Sequence, residues 1–403
     1  MIANATDFSI PAELQSDMRG WRMRALIVGV LGLVASAALT VMGGTEGINQ
    51  FYRSYLFGFV YVIALTVGPL GWLMLQYVSG GAWGVVTRRA CEAAGRTLPL
   101  TILLFIPVVL GINNLYPWAH ADNVAADHLL QHKAPYLNLP FFLGRAALYF
   151  LGWLFISWRL NSNSAREDAE GHAAIDGKSE FVSGPGLVFY GFSVTFMSID
   201  WIMSVDPKWF STMFGLLFIA NQALTSMAFL VTIMVLLSKY RPMNEVITTR
   251  HLHDLGKFLL ALTMVWGYFS FSQFLIIWAG NLPEEIPWYL TRLNGGWQFI
   301  ALLLVLGHFT LPFALLLSRD LKRNFKLLAS VACFILLMRL VDLYWLIMPS
   351  FRTQGFGISL LDISIPVGLV GIWVAFFLTQ LEKRPLLPLN APNLEEALQH
   401  GRH

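Results

Sequence analysis

The sequence predicts an all-α polytopic membrane protein, one integral membrane domain spanning residues 1–403. Hydrophobic residues make up 56% of the chain and charged residues only 13%, about half the charged share of an average soluble domain. Apolar runs of roughly 20 residues recur along the whole length, enough for a helix to cross a hydrocarbon core about 30 Å thick. The basic residues concentrate in every second connection between these runs. This pattern excludes a soluble enzyme, a disordered tail and a nucleic-acid-binding domain. The balance of 27 Lys/Arg against 24 Asp/Glu is too even to attract polyanions.

Ten transmembrane helices are predicted, at about 24–43, 54–78, 98–118, 139–158, 184–204, 211–238, 257–280, 297–318, 325–348 and 360–381. Runs this long lack the alternation of a barrel strand, and a helix satisfies its backbone within its own segment. The first follows 23 mostly polar residues and reads as a signal anchor rather than a cleaved signal. The second and third contain Pro69 and Pro107, and the eighth and tenth contain Pro312 and Pro366. Each proline frees a carbonyl and is a point where the helix can bend. Between the second and third spans, Trp83–Arg96 is expected as an interfacial helix. Val85 and Val86 would face lipid, with Arg88, Arg89 and Arg96 at the headgroups. The polar connection Arg159–Ser183, after the fourth span, is expected to be a mobile surface segment. Asp206-Pro207 starts the turn between the fifth and sixth spans, where Asp206 is expected to cap the next helix.

Orientation follows from the basic residues. Segments on the N-terminal side hold 20 of the Lys/Arg and the opposite side five, with Arg145 and Arg339 inside spans. The positive-inside rule then puts both termini in the cytoplasm. Cys91 and Cys333, the two cysteines, fall in a cytoplasmic connection and in the ninth span, so no disulfide is expected.

Several chemistries lack their signatures. There is no Cys-x-x-Cys-His, no cluster of cysteines, no Walker loop and no Gly-rich dinucleotide fingerprint. A haem between helices would want two histidines at mid-membrane depth, and only His308 lies there. His128 and His132 have the i, i+4 spacing of paired metal ligands but no evident third ligand. The chain is therefore expected to bind no metal or redox cofactor itself. Electrons in any redox role would reside on a partner or on a diffusible quinone.

A charge at the bilayer centre costs about 2.5–3.5 kcal/mol on insertion scales, which makes such residues functional candidates. Six qualify as proton-path candidates: Arg145, Asp200, His308, Arg339, Asp342 and Asp362. At a rise of 1.5 Å per residue, His308 lies roughly 16 Å deep, Arg339 about 14 Å and Asp342 about 9 Å. Arg339 and Asp342, at i, i+3, share a helical face and read equally as a structural ion pair or as a proton site. The inner half offers Asn221, Gln222, Thr225, Ser226 and Thr232 on the sixth span. On the seventh it offers Thr263, Tyr268, Ser270, Ser272 and Gln273. Such groups hold water chains or act as packing glue between helices.

Two segments carry a family resemblance. Ser198–Gly215 reads SIDWIMSVDPKWFSTMFG and Asn281–Tyr289 reads NLPEEIPWY. Both resemble the NrfD/PsrC-like membrane subunits of alternative complex III, a quinol:cytochrome c oxidoreductase. The second motif and the short length favour the ActF-like over the ActC-like paralogue. The resemblance implies two four-helix bundles, spans two to five and six to nine, with spans one and ten added. It implies a bacterial cytoplasmic membrane and menaquinone or ubiquinone as carrier. The partners it implies are an iron–sulfur subunit, cytochrome c subunits carrying haem c, and an NrfD-like paralogue. Asp206, Glu284 and Glu285 are then candidates for docking a partner.

The function expected on these grounds is a membrane subunit of a quinol:electron-acceptor oxidoreductase that supports proton translocation. One alternative is a quinol site in this chain, with Tyr52, Tyr55, Tyr61 and Arg145 as candidates. Another is a secondary transporter, favoured by the Pro-interrupted helices and opposed by the lack of a visible internal repeat.

Overall fold

A computed structural model describes residues 8–175, 177–391 and 394–399. Among the described residues there are helices and turns but no strands. Among the described residues nine helices are long and apolar enough to cross a membrane, and ten if one bent pair counts as a span. The protein is an all-α, multi-pass membrane protein.

The main helices are α1 (Ala12–Met42), α2 (Gly44–Ser79), α3 (Ala82–Gly95), α4 (Leu98–Leu110), α5 (Leu139–Glu170) and α6 (Lys178–Trp201). They continue with α7 (Phe214–Leu237), α8 (Thr249–Gly280), α9 (Trp297–Leu317), α10 (Phe325–Ile347) and α11 (Leu361–Leu381). Helices α2, α4, α5 and α6 pack as one group and α7–α10 as a second, joined where α7 lies against α2 and α6. Helices α1 and α11 pair with each other along the flank of α2. The central helix is α2: its most apolar 18-residue window is wholly buried, whereas that of α1 is 17% buried.

Helices α1 and α11 are antiparallel. Arg22 pairs with Glu382 at 2.8 Å near one end, and Ser36 shares a 2.7 Å hydrogen bond with Ser364 nearer the other. Their backbones touch where glycines face each other. A Cβ on Gly32 would sit 2.8 Å from the Gly368 nitrogen, and one on Gly29 would sit 2.7 Å from that of Ile372. Small residues let helices approach closely in lipid, where packing replaces the hydrophobic drive. The Leu386 amide donates to the Phe8 carbonyl at 3.2 Å, so both ends of the described chain lie at the same end of the bundle. That end is called inner below, and the opposite one outer.

Two connections differ from expectation. Helix α3 forms, but Val85 and Val86 are buried in protein, not lipid. Arg88 and Arg89 are buried too, in an ionic clasp with Glu92, Glu167 and Asp168. Helix α5 runs on to Glu170, twelve residues past the predicted span, because Glu167 and Asp168 meet those arginines. Arg384 reaches Glu92 at 3.4 Å and ties the segment after α11 into the same clasp. Helices α3 and α4 meet at 45°. Helix α4 ends at Gly111, with a further short helix at Ile112–Leu115, so the third predicted span is broken.

Candidate functional site

The six proton-path candidates fall into three groups that differ in how fully they are satisfied. Near the outer end, Arg145 on α5 grips Asp200 on α6 through two hydrogen bonds of 2.9 and 2.8 Å. Tyr149 donates to the same carboxylate at 2.7 Å. The Arg145 guanidinium donates to the Tyr136 carbonyl and stacks 3.8 Å over the Tyr136 ring. All three Arg145 nitrogens and both Asp200 oxygens are engaged.

Asp362, at the start of α11, is held more tightly still. It accepts from Ser54 (2.6 Å), Gln50 (2.8 Å), Arg352 (2.7 Å), Tyr344 (3.2 Å) and the Ser359 amide (2.8 Å). These donors come from α2, α10 and the outer loop. The carboxylate pins that corner together.

The third group lies between α7, α8, α9 and α10. Arg339 and Asp342 form an i, i+3 ion pair on α10, and the Arg339 Nε donates to Thr225 Oγ1 on α7 at 3.2 Å. Asn221 stands one turn from Thr225 and has neither amide atom bonded. On α9, His308 is fully buried, and neither ring nitrogen has a hydrogen-bond partner. Its ring meets Trp266 of α8 edge-on at 4.3 Å. Buried polar atoms without protein partners cost about 1–3 kcal/mol each unless water or a ligand satisfies them. Their concentration here sets this group apart from the two closed ones.

Local sequence explains how His308 is presented. Residues Leu304–Thr310 form a π-helical turn inside α9. Pro312 lacks the amide that would bond the His308 carbonyl, so the regular ladder fails at this turn. Such bulges cluster at functional sites because they re-aim side chains.

A cleft of about 690 Å³ opens beside this group, between α8, α9 and α10. Trp266, Gln273, Tyr289 and Asp342 bring polar atoms to it. Phe271, Phe274, Phe309 and Phe313 supply apolar wall. Phe271 and Tyr268 are 60% and 65% exposed, so the cleft opens sideways on the surface that the spans present to lipid. Gln273 donates to Tyr289 at 3.4 Å and accepts from Ser211 at 3.2 Å. It therefore belongs to the outer half of α8, not the inner half where the sequence placed it. Asn221 and Thr225 likewise stand level with Arg339.

The segments that carry the family resemblance meet at the rim of this cleft. Trp209 stacks on Trp288 at 4.3 Å and 11°. Arg292 lies 3.6 Å over the Trp288 ring and donates to the Leu346 carbonyl at 2.7 Å. Burial lowers the Arg292 pKa to about 9, with Asp206 acting in the opposite direction. Asp206 does not cap α7, which begins at Phe214 with Met213 as its N-cap. Glu284 is exposed and Glu285 half-buried in the adjoining outer turn.

The other candidates lie elsewhere. The Tyr55 hydroxyl donates to the Leu104 carbonyl at 2.9 Å, and that of Tyr61 to the Leu336 carbonyl at 3.1 Å. Tyr52 packs over Gly111 at the break after α4. Among the described residues no three His, Cys, Asp or Glu side chains converge as metal ligands. Sequence reasoning missed Trp266 and Tyr289 as parts of one site. The signals it had were Pro312 four residues after His308 and the unusual polarity of Gln273 within a span. The chain matches no family model and no curated protein.

Proposed function

We propose that this protein is a membrane subunit of a quinol:electron-acceptor oxidoreductase, and that Asp342, Arg339 and His308 move protons in it. One observation carries the reading. Asp342 is buried, ion-paired and also part of the wall of a cleft open to the lipid side. A carboxylate in that position can exchange a proton with a molecule arriving through the membrane, while Arg339 stabilises its charged form. Thr225, Asn221 and His308 extend the polar group away from the cleft. Moving one proton against 100 mV costs about 2.3 kcal/mol, and a redox partner supplies it. The two motif segments support the assignment to a redox complex, with iron–sulfur and cytochrome c subunits as partners on the outer side. Both termini then face the cytoplasm.

A second reading places quinol in this cleft. Its aromatic walls suit a flat ring, and its volume falls in the usual range for small-ligand sites, about 300–1,000 Å³. Asp342 and Gln273 would accept or donate hydrogen bonds to the ring oxygens.

The test uses the purified complex in proteoliposomes, with Asp342→Asn and Arg339→Ala. Electron transfer is expected to continue with fewer protons released per electron. An unchanged ratio in both variants removes the proton role. A photoreactive quinone analogue tests the second reading: labelling within Met264–Phe274 supports it, and labelling confined to another subunit removes it.

A further inference from the structure

A second groove, of about 710 Å³, lies between α5 and α6 towards the inner end. One wall is Gly152, Phe155, Ile156 and Arg159 from α5. The other is Lys178, Phe181, Val182, Pro185 and Phe189 from α6. Each wall follows the i, i+3, i+4, i+7 spacing of a single helical face. Each is apolar throughout except at one end. The helices are antiparallel, so Arg159 and Lys178 stand at the same end, the inner one. From there the groove runs seven residues along α5 and eleven along α6, roughly 10–16 Å at 1.5 Å per residue.

Among the described residues neither cation at this mouth is in an ion pair, although Glu170 lies near enough to feel the charge of Lys178. Among the described residues Arg159, half-buried, makes no hydrogen bond or ion pair. Lys178 donates to the Ala174 carbonyl at 2.7 Å. Elsewhere at this end the buried arginines, Arg88 and Arg89, have carboxylate partners. Along the trough Phe155 is 58% and Phe181 81% exposed. The floor is closed by the Phe189 ring over Gly152, where a Cβ would come within 2.2 Å of it.

We propose that this groove binds one anionic phospholipid, its phosphate between Arg159 and Lys178 and an acyl chain along the trough. Basic pockets between membrane helices at the cytoplasmic side recognise such headgroups. A free phosphate would match the cations but leave the trough uncovered. A zwitterionic lipid would bring its own cation against an unpaired guanidinium. The assignment rests on this groove alone and does not depend on the oxidoreductase reading.

The experiment measures lipid retained by the protein as extracted in mild detergent, then delipidated and offered phosphatidylglycerol or phosphatidylcholine vesicles. Retained lipid is read by native mass spectrometry. The wild-type chain is expected to keep about one phosphatidylglycerol and no phosphatidylcholine. Arg159→Gln with Lys178→Gln is expected to lower retention on the order of thirtyfold, at about fivefold per basic residue near the surface. Val182→Trp, which fills the trough with both charges intact, is expected to lower it as well. Lys239→Gln with Arg241→Gln, exposed at the same end but outside the groove, is expected to leave it unchanged. Equal retention in wild type and both groove variants overturns the proposal, as does an equal fall in the control pair. Displacement by inorganic phosphate as effective as by phosphatidylglycerol assigns the site to a free anion. A photocrosslinking amino acid at position 181 that captures a polypeptide instead of lipid assigns the groove to a protein partner.

Discussion

A carboxylate inside a membrane span is governed by its donors, and the buried aspartates here differ in theirs. Asp200 has a bidentate arginine and a tyrosine, and Asp362 has donors from several segments. Removing one partner from such a pair leaves an uncompensated charge, at a cost of about 3–5 kcal/mol. Arg145→Leu is therefore expected to destabilise the fold by that amount in detergent unfolding. In the protein that remains folded, protons moved per electron are expected to be unchanged. Specific loss of that ratio at full stability would mean that Arg145 conducts. His308 is the converse case. Its ring nitrogens have no protein partner, so His308→Phe removes no hydrogen bond between side chains. The variant is expected to stay within about 1 kcal/mol of wild-type stability while lowering proton transfer. A large loss of stability would make His308 a packing residue.

At the scale of elements, the inner clasp and the bent helix matter most. The clasp pairs Arg88, Arg89 and Arg384 with Glu92, Glu167 and Asp168 across α3, α5 and the segment after α11. Glu92 is buried among all three arginines. Glu92→Gln is expected to cost about 3–5 kcal/mol and to expose the segment beyond Leu381 to limited proteolysis. Wild-type proteolysis and stability would show that the clasp does not hold this end. The clasp also shows what a linear reading cannot see. Glu167 and Asp168 looked like solvated residues in a polar connection because their partners, Arg88 and Arg89, stand 79 residues away. The spans themselves were legible, since each needs only its own twenty or so residues to declare itself. The π-helical turn was half legible: Pro312 marked a break, but the side chain it re-aims becomes apparent only with α8 beside it.

For the whole molecule, the six ionisable residues within the predicted spans stood out in the sequence because their cost in lipid is independent of context. What separates them is context. Asp342 differs from Asp200 and Asp362 through the cleft beside it and the unbonded groups behind it, both made by helix register and rotation. The walls of that cleft come from α8, α9 and α10, and the two motif segments close its outer rim by stacking Trp209 on Trp288. The proposed proton transfer therefore centres on one group of side chains at the meeting of four helices. Asp342 is expected to change protonation state as the assembly turns over. Infrared difference spectroscopy of the purified complex, cycled between oxidised and reduced states, tests this directly. A carboxyl C=O band is expected in the wild-type difference spectrum and is expected to vanish in Asp342→Asn. The same band persisting in Asp342→Asn would contradict the account.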